Sequence, residues 1–292
     1  MKSLWRALPV LLASLLIVGH ASAAAERHKM TGLVLAVDAA AKNLSVSCDS
    51  VPGFMPAMVM PFPVKDATLL RNVRPGAAIE FTFVVDGDSS YVEDIHVRRY
   101  ESLEQKPLEF RRLELLSKLA AGDTSTPLVP GQHVPDFSLT DQQHRRVTFS
   151  KLGGKVVAVT FTYVRCPNPA YCFRLASNFS QLQKRFRNRL GTDLVLLTIA
   201  IDPALDREDA LAEYARTWTT NPRAWHFLTG PLADVKQVAA RFGVEFWQDE
   251  GSLTHSFHTA VIDRRGVLVG NLDGNEFTAA QLGDLVQTVL DR

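Results

Sequence analysis

The stretch KVVAVTFTYVRCPNPAYCF (residues 155–173) decides the fold. Its opening run is almost entirely β-branched or aromatic, without the polar alternation of a half-exposed strand. That is the pattern of a central strand buried on both faces. Cys166 stands where the strand ends, PNPA is turn material, and Cys172 opens a helical stretch from Phe173 to about residue 188. Working outward, FSLTDQQHRRVTFS reads as a hairpin before the strand, and TDLVLLTIAID as a second buried strand after it. DREDALAEYARTW follows as a helix, with Asp206 expected at its N-cap. AWHFLTG, DVKQVAARFGV, FHTAVID with GVLVGNL, and TAAQLGDLVQTVL continue as strand, helix, antiparallel strand pair and helix.

Strands interleaved with helices, closing on an antiparallel pair, predict an α/β thioredoxin-like domain over residues 131–292. Residues 24–100 are different. TGLVLAVD, NLSVS, AAIEFTFVV and YVEDIHVRR are short strand-like runs separated by DAAAKN, RPGA and DGDSS, which predicts a small antiparallel β-barrel. Between them, residues 101–130 combine a helical pattern (Phe110, Leu113, Leu116, Leu119 along one side) with the linker-like GDTSTPLVPG. The chain begins with a basic start, an apolar run and Ala21-Ser22-Ala23, so residues 1–23 are expected to be a secretory signal peptide. Export to the periplasm or another extracytoplasmic space follows, with membrane attachment only through an uncleaved signal anchor. Basic and acidic residues number 32 and 31, and no basic stripe is present, which argues against nucleic acid as a partner.

Sulfur is distributed unevenly. Three of the five methionines fall within FMPAMVM (residues 54–60), just after Cys48. Met58 and Met60 alternate onto one side of a strand, and a hairpin could return Cys48 to them. Two soft thioethers and a thiol suit Cu(I), although apolar alternation in a barrel interior would place methionines there too. Cys166 and Cys172 allow a structural disulfide, a redox pair or a soft-metal chelate, and a helix N-terminus at Cys172 would favour its thiolate. The three cysteines leave one unpaired in an oxidising compartment. His255 and His258, in LTHSFHTAVID, are three apart and face opposite sides of an extended chain, so they are not expected to share an ion. His226, in an apolar run, reads as packing. Asp202 reads as a turn former before Pro203.

Two resemblances sharpen these readings. VSCDSVPGFMPAMVMPF (residues 46–62) resembles the copper-binding barrel of the CusF-like family, whose OB-like fold binds Cu(I) through a histidine and the two methionines of M-x-M. Met58 and Met60 carry over, and Cys48 stands at the histidine position. PDFSLTDQ, TFTYVRCP, IDPALDREDALAEYA, HFLTG and THSFHTAVIDRRG resemble the Sco/SenC family of thioredoxin-fold copper chaperones. That resemblance implies that Cys166, Cys172 and His255 bind Cu(I) or Cu(II). It departs from the family at C-x5-C, where C-x3-C is usual.

The resemblances imply a two-domain periplasmic copper metallochaperone. Its acceptor would be a copper protein such as cytochrome c oxidase subunit II. The alternative is an enzyme, a thiol-disulfide oxidoreductase in which Cys166 attacks and Cys172 resolves. A copper buffer that binds without transfer is a third reading. A peroxiredoxin is disfavoured because the peroxidatic threonine-to-cysteine motif of that family is absent.

Overall fold

The computed structural model describes residues 25–100, 126–166, 168–249 and 252–292. The expected signal peptide and the linker helix lie outside the described residues. Among the described residues, no helix is long and apolar enough to cross a membrane.

The first sheet has five antiparallel strands, β1 (Glu26–Asp38), β2 (Asn43–Cys48), β3 (Met58–Pro63), β4 (Ala78–Asp86) and β5 (Ser89–Arg98), in the order β3-β2-β1-β4-β5. The expected closed barrel is only partly realised. The edge strands β3 and β5 meet through a single bridge, Val64 to Val92, supported by Lys65 N–H donating to the Val92 carbonyl at 3.1 Å. The sheet therefore coils into an OB-like barrel without a full closing ladder. Met30, Val34, Leu44, Val46, Phe62 and Phe81 fill its interior.

The second sheet has seven strands: β6 (Ser138–Asp141), β7 (Arg146–Thr148), β8 (Val156–Thr162), β9 (Leu194–Ala200), β10 (Trp225–Thr229), β13 (His258–Ile262) and β14 (Leu268–Asp273). Their order is β14-β13-β8-β9-β10-β6-β7, with β8, β9 and β10 parallel and the flanking pairs antiparallel. Every residue of β8, β9 and β10 is buried, as their unbroken apolar runs require. Helices α1 (Arg174–Arg185), α2 (Glu208–Trp218), α3 (Leu232–Arg241) and α4 (Ala279–Leu290) cover both faces. One core, on the side of α1 and α4, contains Phe179, Trp225 and Leu282; the other contains Phe161, Leu197 and Phe242 beside α3. The hairpin β11 (Phe246–Asp249) with β12 (Ser252–His255) stands apart and carries His255. This is the thioredoxin-like arrangement expected from the sequence.

Two local expectations fail. The Asp206 carboxylate does not cap α2. Arg207 holds the N-cap position without a side-chain hydrogen bond, while Asp206 Oδ2 reaches across to accept Val164 N–H at 3.0 Å. Nor does α1 begin at Cys172. Residues Pro169–Phe173 form a π-helical turn before it, capped by the Asn168 side chain accepting Ala170 N–H at 2.9 Å. Such a turn absorbs extra residues without breaking the helix that follows.

The two sheets are docked on each other. Leu33 and Leu35 of β1 point away from the barrel interior into the same core as Leu282, Leu285, Val286 and Val289 of α4. A β-bulge between Val34 and Ala36 accompanies this double burial. Backbones touch at Gly76 and Gly270. A Cβ on Gly76, which has φ of +87°, would lie 2.9 Å from Asn271 N, and one on Gly270 would lie 3.2 Å from the Pro75 carbonyl oxygen. Polar ties close the contact. Ser47 Oγ donates to Asp284 Oδ2 at 2.7 Å, and Gln281 Nε2 donates to Asp49 Oδ1 at 3.0 Å. Gln281 is also the third residue of α4 and completes a capping box with Thr278, so one side chain both starts the helix and ties the barrel to it.

The shared core yields a prediction. Leu33→Ala should cost about 2–5 kcal/mol. The loss should appear in urea unfolding followed by tryptophan fluorescence of the mature chain, whose tryptophans Trp218, Trp225 and Trp247 all lie in the second half. An unchanged fluorescence midpoint would mean that the modules unfold independently.

Candidate metal and thiol centre

The site in the second domain is built at the C-terminal end of β8. Tyr163 and Val164 follow its last residue, Thr162, Cys166 comes next in a turn closed by Cys166 N–H on the Tyr163 carbonyl, and the π-turn brings Cys172 back toward it. Neither cysteine is in a disulfide. The two sulfurs sit in unlike surroundings. Cys166 is half-buried, and its pKa is lowered to about 6, chiefly by a hydrogen bond from the Cys172 thiol and further by backbone amides at Cys172 and Asn168. Cys172 is 2 % exposed. Its thiol is held protonated by that same hydrogen bond, by burial and by the neighbouring Cys166 charge. The expectation of a favoured thiolate at Cys172 is not met: its hydrogen bond to Cys166, and then its burial, outweigh the helix end, and the activated sulfur is Cys166, the attacking thiol of the redox alternative.

His255, at the end of β12, faces this pair. Its Nε2 lies 3.9 Å from Cys172 Sγ, and its Nδ1 lies 2.9 Å from the Ser256 carbonyl oxygen, a contact that requires a proton on Nδ1. Nε2 therefore presents its lone pair to the sulfur. Burial pushes the His255 pKa down to about 4, against the pull of the Ser256 carbonyl, so the imidazole is neutral at physiological pH. Its ring is held edge-on by Tyr163 (centroids 5.7 Å, 82°) and leans on Phe257 (4.4 Å, 57°). His258 faces elsewhere, against Gly243, consistent with the expectation that the two histidines do not share an ion. His226 Nδ1 donates to the carboxylate of the fully buried Asp141 at 3.0 Å, so it is a structural residue that is hydrogen-bonded as well as packed. Asp202 forms a turn, its carbonyl accepting from the amides of Leu205 and Asp206.

Among the described residues, no three His, Cys, Asp or Glu side chains already stand as a ligand cage. The donor set nevertheless suits a soft ion. It offers one thiolate, one thiol facing a neutral imidazole nitrogen, and no carboxylate in contact with the sulfurs. Two neighbours escaped the sequence reading. Burial raises Asp206 to about pKa 6, and Tyr163 hydrogen-bonds to Cys166. Only the fold places either of them beside the thiols.

In the barrel, the hairpin pairs Cys48 directly with Met58 and Val46 with Met60. Directly opposed residues share a face, so Cys48, Met58 and Met60 all lie on the inner face of β2 and β3. Cys48 is 2 % exposed and Met58 46 %, a gradient from the barrel interior to its mouth. Burial, aided by Asp49, pushes Cys48 up to about 12. His28, also on the inner face of β1, stacks on Phe54 at 3.6 Å with an interplanar angle of 11°. Its Nε2 lies 3.5 Å from Glu26 Oε2 but outside hydrogen-bond geometry.

Comparison with known proteins places these sites in context. Residues 126–291, more than half of the chain, match the SCO1/SenC family model. The chain belongs to the SCO1/SenC family. Residues 27–97 match the model described as "Copper binding periplasmic protein CusF". Protein sco1 of Schizosaccharomyces pombe is 28% identical over 141 residues, covering 46% of this chain and 52% of that protein. The mitochondrial SCO1 homolog 1 of Arabidopsis thaliana is 28% identical over 116 residues, covering 39% and 33%. The chain therefore spans about half the length, or less, of these curated relatives. The crystal structure of a SCO1/SenC family lipoprotein from Bacillus anthracis str. Ames superposes with a TM-score of 0.50 at 22% identity, over 56% of this chain and 99% of that one. At that identity the likeness speaks for the fold.

The asymmetry of the cysteines is directly testable in the copper-free, reduced protein. Iodoacetamide should modify Cys166 with a pH midpoint near 6, with Cys172 and Cys48 protected by burial and by their raised pKa values. Cys172→Ser should move the Cys166 midpoint, since the largest cause of its depression involves the Cys172 thiol. A wild-type midpoint near the unperturbed thiol value would contradict the geometry.

Proposed function

We propose that the chain is an extracytoplasmic copper metallochaperone that carries copper as cargo for the assembly of cytochrome c oxidase or a related cuproprotein. The observation that supports this best is the Cys172–His255 contact of 3.9 Å, with the half-exposed Cys166 beside it. Cys166, Cys172 and His255 would hold the ion in the second domain. Cys166 is the one exposed enough for an acceptor to approach, so ligand exchange would begin there. Cys48, Met58 and Met60 would hold Cu(I) in the barrel, where a thiol replaces the imidazole usual for that module. Family membership and the CusF-like match both favour copper, and the printed description of the CusF model favours a periplasmic location.

A second reading has its own support in the unequal cysteines. A half-exposed, acidic thiol beside a buried, protonated one is the arrangement of an attacking and a resolving pair. In that reading the Cys166 thiolate attacks a disulfide of a copper-site protein, forming a mixed disulfide and releasing one target thiolate. Cys172, losing its proton, then attacks Cys166, which closes the intramolecular disulfide and releases the second target thiol.

Anaerobic Cu(I) titration of the reduced mature chain against a competing chelator separates the sites. Wild type should take one equivalent per module. Cys166→Ser/Cys172→Ser should lose the tighter thiolate site and keep the barrel's, whereas Met58→Leu/Met60→Leu should do the reverse. Retention of all binding by the double cysteine variant would confine copper to the barrel and leave the second domain as a redox module. That module would be recognised by a mixed disulfide trapped with Cys172→Ser.

A further inference from the structure

Tyr100, at the end of the barrel module, packs on a residue that borders the thiol–histidine site. Tyr100 follows β5, and its backbone N–H donates to Asp273 Oδ2 at 3.2 Å. Its side chain packs against Gly274, where φ is +80° and a Cβ would collide with Tyr100 Cγ, a space that only glycine leaves open. From there the ring meets Phe257 edge-on, with centroids 5.8 Å apart at 83°. Phe257 is 6 % exposed and packs on two residues of the site: His255 at 4.4 Å, and Tyr171, the neighbour of Cys172, at 5.1 Å. Gly274 N–H donates to the Phe257 carbonyl at 2.8 Å, so the seat of Tyr100 and the backbone of Phe257 are fixed together.

We propose that Tyr100, supplied by the barrel module, is a positioning residue for His255, acting through Phe257. The imidazole is buried, with Nε2 on Cys172 Sγ. Nδ1 meets a neighbouring carbonyl, Tyr163 touches one edge, and Phe257 supports the ring. Phe257 is itself wedged between His255, Tyr171 and Tyr100. Removing the Tyr100 ring opens space beside Phe257, and a buried aromatic relaxes toward such space. His255 Nε2 then loses its fixed aim at Cys172 Sγ. The hydroxyl is not required by this route, because the contact with Phe257 is made by the ring. A chain lacking the barrel would carry all three candidate ligands and still aim one of them poorly.

The proposal rests on the copper reading only in its loaded arm, and the test separates the two. The full mature chain is compared as wild type, Tyr100→Phe, Tyr100→Leu and Tyr100→Ala, with far-UV circular dichroism and the NMR signals of the buried His226 reporting an intact fold. In the copper-free protein, the imidazole nitrogen signals of His255 are measured. Tyr100→Ala should shift and broaden them, Tyr100→Leu should do so less, and Tyr100→Phe should match wild type. In the loaded arm, Tyr100→Ala should weaken copper binding at the cysteine site about tenfold or more, the scale for residues that orient a ligand. It should also alter the Cu(II)–thiolate absorption band, leaving the barrel equivalent unchanged. Folded Tyr100→Ala and Tyr100→Leu with wild-type His255 signals would overturn the proposal. A wild-type chain that takes no copper at the cysteines would overturn the copper reading, while the copper-free arm still decides the role of Tyr100.

Discussion

Removal of water from one thiol and one imidazole governs the second domain's chemistry. Cys172 and His255 are both nearly closed to solvent; the hydrogen bond to Cys166, and then burial, keep the thiol protonated, and burial keeps the imidazole neutral. A charged pair there would carry a desolvation penalty of several kcal/mol that a single contact does not recover. The neutral pair has no such penalty, and it faces a donor lone pair toward sulfur. The negative charge is left to Cys166, at the border with solvent, where the Cys172 thiol and nearby backbone amides stabilise it. Burial of the imidazole, and the Cys166–Cys172 interaction together with burial of Cys172, thus fix the protonation of all three groups. It makes the outer sulfur the reactive one whether the cargo is a metal ion or a disulfide.

The two extra residues between the cysteines fit this scheme. An α-helix starting directly after the strand would have to place Cys172 within its first turn. The π-turn over Pro169–Phe173 has a wider spiral and returns the sulfur to the strand end despite the longer loop. Asn275 reinforces it, donating from Nδ2 to the Ala170 carbonyl at 2.7 Å. The insertion therefore changes the path of the loop and leaves the two thiols close enough to shift each other's ionisation.

Much of this was legible in the sequence, and the exceptions have physical causes. Unbroken apolar runs marked β8, β9 and β10 because a strand buried on both faces cannot alternate. Met-x-Met opposite Cys48 marked a shared face because strand side chains repeat every second residue. What failed depended on contacts distant in sequence. Asp206 has the spacing of an N-cap, but its carboxylate is drawn to Val164 N–H by the fold of β8 against β9. Cys172 has the position of an activated thiol, but its burial is decided by β12, more than eighty residues later. The run GLVLAV held an unused signal: consecutive apolar residues in an otherwise alternating antiparallel strand indicate that β1 has two faces to bury. The second is the one that meets α4.

That second face bears on how the modules cooperate. A flexible tether passes an ion between two sites by raising their effective concentration, provided that the sites can meet. Here the barrel is not freely tethered. Leu33 and Leu35 lie in the other domain's core, and burying each contributes about 1.5–3 kcal/mol. Ser47 and Asp49, the two neighbours of Cys48, are both hydrogen-bonded to α4. Swinging Cys48 toward the second site would expose those leucines and break both ties at once. The cost falls on the motion itself and recurs with every transfer. If both sites carry copper as proposed, the docked arrangement favours two ports with a fixed relation to each other, each exchanging its ion with an external partner, over a barrel that shuttles copper to its own neighbour.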